Sequence, residues 1–288
     1  TLWVKLIQNR VETGEPYIMF KDTVQDALPQ FQKDAGLQVH HSNLCSEITL
    51  ATDSERTAVC CLSSVNLEEY DEWKDNEQFI PDLVRMLDNV LDHFIDNAPD
   101  ELYRAKLSAE KERSIGLGAM GFHAYLQRHN IPFESVLAKG ANNRMFTRIK
   151  SEAVRATRQL AEERGECPDG KGYGVRNAHL LAVAPNASSS IICGNTSPSI
   201  EPYRANAFTQ KTKSGSSLLK NEYLQHALQE IDMDTDEVWK SVITNGGSVQ
   251  QLDFLDDYTK DVFKTAVEID QKWIIEFAGD RQKHICQS

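Results

Sequence analysis

Three stretches of the chain repeat apolar residues every three or four positions, and that periodicity limits the folds open to it. Across 79–95 it runs through Phe79, Ile80, Leu83, Val84, Leu87, Val90, Leu91 and Phe94, with Pro81 in the first turn, where a helix tolerates proline. Residues 142–164 carry it through Phe146, Ile149, Ala153 and Leu160 up to Gly165. Residues 259–278 carry it through Val262, Phe263, Ala266, Ile269, Trp273 and Phe277. Among these helices lie short apolar runs of strand length, "SEITL" (46–50) and "HLLAVAP" (179–185). "GECPDGKGYG" (165–174), "KTKSGSS" (211–217) and "TNGGSVQ" (244–250) read as loops. Helices alternating with strands predict an α/β fold. No repeat, low-complexity linker or boundary divides the 288 residues.

Charge and cysteine usage narrow the function. With 31 basic against 43 acidic residues the formal net charge is −12, which argues against DNA as a partner because nucleic-acid binders need a basic face. No apolar run reaches the length of a membrane span, and "TLWVKLIQNR" carries no signal-peptide pattern, so no membrane association is expected. The six cysteines, at 45, 60, 61, 167, 193 and 286, form no C-x-x-C and no Cys/His metal spacing. A metal site and a disulfide scaffold are both disfavoured, and the expected compartment is the reducing cytoplasm.

The chemistry-bearing residues concentrate in two places. In "HHSNLCSEITL" (40–50), Asn43, Cys45 and Glu47 alternate with Leu44, Ser46 and Ile48. If 43–48 is extended, amide, thiol and carboxylate share one face, an arrangement suited to acid–base and thiol chemistry on a hydroxylated substrate. A buried free cysteine on an edge strand is the plainer alternative. His40 and His41 also suggest a Cys–His pair, although such partners are seldom sequence neighbours. Cys167, Cys193 and Cys286 read as small buried or loop residues. In "APNASSSIICGNTSPSIEP" (184–202), an apolar run enters small and hydroxyl residues from Asn186 to Ser190, whose donors suit a phosphate as well as they suit an ordinary helix cap. Lys211 and Lys213 are possible phosphate contacts or solvated loop lysines. "IGLGAMG" contains G-x-G-x-x-G at Gly116, Gly118 and Gly121, but a polar, helix-like segment precedes it, so close backbone packing is expected rather than a dinucleotide site.

Five blocks, "SNLCSEITL", "CCLSSVNL", "RSIGLGAMGFHAYL", "APNASSSIICGNTSPSIEPY" and "VFKTAVEIDQKWIIEFAGDRQKHICQS", occur in the order found in the catalytic large subunit of aerobic ribonucleotide reductase. The chain resembles class I of that family, in its bacterial or T4-like phage form, over essentially its whole length. The resemblance implies that residues 1–288 form part of a ten-stranded α/β barrel with a finger loop. It implies reduction of ribonucleoside diphosphates to 2′-deoxyribonucleoside diphosphates by a thiyl radical. Cys45 matches the radical thiol, Glu47 the carboxylate taking the 3′-hydroxyl proton, and Asn43 the amide orienting the ribose. Cys60 matches one cysteine of the redox-active disulfide, although Cys61 beside it leaves open which thiol reacts. Ser42 and Asn43 are implied on the ribose, and Asn186, Ala187, Ser188, Ser189 and Ser190 on the diphosphate.

No cofactor is implied on the chain itself. The resemblance implies a diiron-type small subunit as the source of the radical, and thioredoxin or glutaredoxin as the source of the electrons. The second reducing cysteine, the cone and early barrel strands lie upstream in the family, and the relay tyrosines and shuttle cysteines downstream. This implies a fragment or split-gene piece, inactive alone and completed by a chain carrying the missing barrel segments. A cobalamin-dependent reductase and a non-catalytic remnant binding nucleotide or a subunit are the alternatives.

Overall fold

The computed structural model describes residues 1–212 and 215–287. Four strands are present among them: β1 (Leu62–Asn66), β2 (Gly116–Met120), β3 (Ala207–Thr212) and β4 (Gly215–Lys220). The helices are α1 (Leu2–Thr13), α2 (Lys21–Ala27), α3 (Gln30–Asp34), α4 (Tyr70–Trp73), α5 (Phe79–Asn97), α6 (Tyr103–Glu112) and α7 (Phe122–Arg128), then α8 (Val136–Arg164), α9 (Ser189–Ile192), α10 (Glu222–Glu230), α11 (Asp236–Thr244), α12 (Asp257–Val262) and α13 (Gln271–Gln282).

β1 and β2 pair in parallel, Leu62 opposite Gly116 through Asn66 opposite Met120. The run at 179–185, expected as a strand, lies alongside β2 but forms only one ladder bridge, Leu117 to Leu181. Its remaining bonds are irregular, with Ile115 N–H donating to His179 O (3.0 Å) and Leu117 N–H to Leu180 O (2.8 Å). Every residue of β2 is buried, as a parallel strand covered on both faces requires. A Cβ on Gly118 would stand 2.6 Å from Ala182 O, so the glycine spacing serves the close approach of neighbouring chain.

The main core forms around this pair. The stripe read in 79–95 is α5, which buries Ile80, Val84, Leu87 and Leu91. α8 starts six residues earlier than its periodicity suggested, because Ser135 caps it by accepting from Ala138 N–H (3.1 Å). Asp88, fully buried on α5, accepts from Arg113 Nε (2.9 Å) and Arg164 (3.0 Å), which ties α5 to the ends of α6 and α8. Burial alone would raise its carboxyl, but Arg113, Arg176 and Arg164 together outweigh this and hold it below the usual carboxylate range.

Two expectations give way. The helix over 259–278 is two helices, α12 and α13, because a side chain within the segment and a backbone carbonyl from elsewhere intercept the backbone between them. Glu268 accepts from Thr265 N–H (2.7 Å), and Ala266 N–H donates to Tyr203 O (2.8 Å) before Asp270 caps α13. Of the loop expected at 211–217, the described residues 211, 212 and 215–217 lie in the antiparallel pair β3–β4. Lys213, proposed as a phosphate contact, lies outside the described residues. A second apolar cluster, with Trp239, Leu224, Leu228 and Val242, forms beneath β3.

Candidate active site

Residues 43–48 are not extended. They form a tight turn in which Ser46 N–H donates to Asn43 O (3.2 Å) and Ser46 adopts φ 69°, the left-handed region. Asn43 closes the turn: its Oδ1 accepts from Ile48 N–H (3.1 Å), and its own N–H donates to Ile48 O (3.3 Å). The shared face expected from the alternation is therefore absent, since a strand needs a ladder partner and this segment bonds to itself. The turn instead sorts these residues by exposure. Leu44 and Cys45 stand exposed at its tip, Leu44 by 89%, whereas Glu47 is only 6% exposed. Glu47 Oε2 is buried and has no hydrogen-bond partner among the described residues. Below it, Ile48 and Leu50 pack on Ala182, with Ala58 and Leu62 against them, which roots the turn beside β1.

Cys60 lies just before β1. Its thiol is pushed above the ordinary range, first by partial burial and then by Glu47 and Cys45, so the three groups are neighbours. Cys61 faces the other way: buried, with Sγ donating to Leu87 O (3.5 Å), its thiol is pushed up to about 11, mainly by burial and then by Asp88. The vicinal pair thus divides into one thiol toward the turn and one in the core.

The turn also separates two cavities. One, of about 490 Å³, is lined by Ser42, Asn43, Cys60, Arg56 and both His40 and His41. The other, of about 650 Å³, is lined by Cys45, Pro185, Ser199, Glu201 and Arg281. His40 and His41 thus belong to a different cavity wall from Cys45. Ser42 Oγ donates back to Asn43 O (3.0 Å). Glu201 and Arg281 escaped sequence reasoning because nothing local connects them to position 45. Burial lowers the Arg281 guanidinium to about 10, and Glu201 opposes that shift.

The serine segment begins at Asn186, which the structure ties to the strand pair. With the amide oriented to suit its neighbours, Nδ2 donates to Ala184 O (3.0 Å) and Ala119 O (3.2 Å), and Oδ1 accepts from Ser189 Oγ (3.2 Å). Ser64 Oγ lies 3.1 Å from the same nitrogen, a β1 contact that the sequence motif contained without singling it out. Ala187, Ser188 and Ser189 are exposed and Ser190 is buried. The helix expected to begin here is α9, a single turn, so its aligned dipole is small. Of the remaining cysteines, Cys167 is buried, Cys193 is exposed after α9, and Cys286 Sγ lies 2.8 Å from Lys150 Nζ.

The family model for the ribonucleotide reductase barrel domain matches residues 1–171 and 168–288. The chain is 52% identical to a putative ribonucleoside-diphosphate reductase large subunit of frog virus 3, over 99% of this chain and 51% of that protein. It is 51% identical to the large subunit of invertebrate iridescent virus 3, over 100% of this chain and 46% of that one. The class Id ribonucleotide reductase alpha subunit of Actinobacillus ureae superposes with a TM-score of 0.93 at 43% identity, covering 100% of this chain and 54% of its own. The chain spans about half the length of these relatives.

Proposed function

This chain belongs to the ribonucleotide reductase barrel-domain family, and on that premise we propose that it carries the catalytic face that reduces ribonucleoside diphosphates to 2′-deoxyribonucleoside diphosphates. The observation that carries the reading is Glu47 Oε2, a buried acceptor without a partner beside two thiols. Leaving such a group unpaired costs about 1–3 kcal/mol, an expense that a bound hydroxyl would offset.

In this reading Cys45, raised on the turn, removes the hydrogen at C3′ as a thiyl radical, and Glu47 accepts the proton of the 3′-hydroxyl. Asn43 spends Oδ1 on holding the turn, which leaves Nδ2 as the donor toward the ribose. Loss of the 2′-hydroxyl as water then draws two electrons from a dithiol, of which Cys60 is one member. Its exposure and its nearness to Glu47 and Cys45 favour it over Cys61, whose thiol is committed to the core. Ser42 lies on the ribose side, and Asn186, Ala187, Ser188, Ser189 and Ser190 take the diphosphate. A radical-generating diiron small subunit and a thioredoxin-like reductant complete the reaction, and no helix among the described residues is long and apolar enough to cross a membrane.

The test is a chimera in which residues 1–288 replace the matching half of the Actinobacillus ureae alpha subunit, supplied with that enzyme's small subunit, dithiothreitol and CDP. Formation of dCDP supports the reading. A folded chimera that binds CDP and yields no dCDP contradicts it.

A further inference from the structure

We propose that Ser197, Tyr203 and Gly121 form a clamp that positions the diphosphate loop, an inference that rests on reading 186–190 as the diphosphate site. The segment from Asn186 to Ser199 is an arch with one foot at each end. The first foot is Asn186 on Ala119 and Ser64. The second is Ser197, fully buried, which uses both oxygens: its carbonyl accepts from Gly121 N–H (2.8 Å) and its Oγ from Ala124 N–H (3.0 Å) at the start of α7. Thr196 N–H donates to Ser190 O (3.1 Å), so the second foot connects directly to the last of the five proposed diphosphate residues. Tyr203 OH, from beyond the arch, donates to Asn195 O (3.2 Å).

Between the feet the arch has little support. Ser188, Ser189 and Cys193 are exposed, and Ile192 is exposed by 84%. An exposed segment that must present two hydroxyls to an anion depends on its attachment points for alignment.

Gly121, the last glycine of G-x-G-x-x-G, acquires a role here. It holds φ 79°, and a Cβ would stand 2.2 Å from Asn66 Oδ1 and 2.8 Å from Thr196 Oγ1. Only glycine lets the end of β2 turn there while its N–H reaches Ser197 O. The last position of the motif therefore fits a phosphate-loop buttress, one layer removed from the phosphate itself.

None of these residues is proposed to touch substrate, so the test must separate alignment from general stability. Amide hydrogen exchange is measured along the purified protein of residues 1–288, unsubstituted and as Tyr203→Phe and Ser197→Ala, each with and without inorganic pyrophosphate. The clamp requires exchange at 188–196 to rise by about tenfold or more in either variant while β1, β2 and α5 stay as protected as before. In the chimera, the same variants should raise KM for CDP several-fold with kcat nearly unchanged. Unaltered exchange at 188–196, or a rise spread over the whole chain, overturns the clamp. If pyrophosphate fails to protect 187–190 in the unsubstituted protein, the diphosphate reading fails and takes the clamp's substrate role with it. Tyr203→Phe removes one hydroxyl and keeps the ring, so it remains informative if Ser197→Ala does not fold.

Discussion

The turn at 43–48 and the serine arch at 186–199 are both proposed to offer polar groups to one ligand, yet they are built oppositely. The turn is closed by its own Asn43 and rooted through Ile48 and Leu50, so only Leu44 and Cys45 at its tip are exposed. The arch has one foot on the strand pair and the other at the start of α7, and exposes Ala187, Ser188 and Ser189 between them. Moving a hydrogen atom demands a fixed separation between thiol and carbon, because the reaction is sensitive to small misplacements. Gripping an anion demands donors that adjust as it arrives. In the proposed reading, rigidity is thus placed where bonds change, while charge is held by rotatable hydroxyls on a loop fixed at both ends.

The comparison breaks most visibly at the vicinal cysteines. Cys60→Ser should abolish multiple turnover in the chimera with little change in melting temperature. Cys61→Ser should retain turnover but lose about 1–3 kcal/mol in denaturant titration, since a hydroxyl replaces a core thiol. The reverse pattern would mean that the rooted side of the site is misassigned.

A pH titration probes how the approach to the turn is held. Gln32, on α3 upstream of the turn, donates to Glu112 Oε2 (3.3 Å), and Ser108 and Ser114 also bond that carboxyl. Burial pushes Glu112 from 4.5 up to about 7 despite the two serines and Arg56, and Asp169 adds to the rise. A folded-state value above the unfolded one means that the neutral acid suits the fold. Its contribution is therefore complete below about pH 4.5 and is lost as pH rises through about 7. Stability measured from pH 5 to 8 should fall by up to about 3 kcal/mol from this group, and Glu112→Gln should flatten that fall. An unchanged slope in Glu112→Gln would show that the carboxyl is not the titrating group.

Smaller effects sharpen the contrast. Replacing Ser188 and Ser189 together by Ala should weaken CDP binding by about 1–3 kcal/mol in calorimetry and leave cytidine binding and the melting temperature nearly alone. Asn43→Ala should cost about 1–2 kcal/mol of stability by orphaning Ile48 N–H, and turnover should fall with it. If the serine pair destabilises the fold more than Asn43→Ala does, the division between rooted turn and open arch is wrong.

What the sequence made legible follows the range of the interactions involved. The stripe of α5 was readable because its apolar spacing and Pro81 are local, and the glycine packing of β2 because the segment before it is visibly helical. The finger segment was misread as extended because spacing of two marks a strand only when a partner chain supplies the ladder, and Ser46 gives no glycine-like warning of its left-handed φ. Adjacent cysteines in extended chain must face opposite sides, but whether Cys60 or Cys61 faces the core depends on Leu87, 26 residues from Cys61. The break between α12 and α13 depends on Tyr203, and no local signal encodes that contact. The family was legible through the ordered motifs, and the proposed roles of Asn43, Cys45, Glu47 and Cys60 rest on that resemblance. Their geometry required the fold.

The most direct test of the account is Cys45→Ser in the chimera, with CDP affinity and dCDP formation measured on the same preparation. Cys45 is exposed at the tip of a turn held by other residues, so the substitution should leave the fold and CDP affinity unchanged. The account predicts no dCDP above background, because the O–H bond of serine is too strong to carry the radical. Turnover by Cys45→Ser comparable to that of the unsubstituted chimera would contradict it.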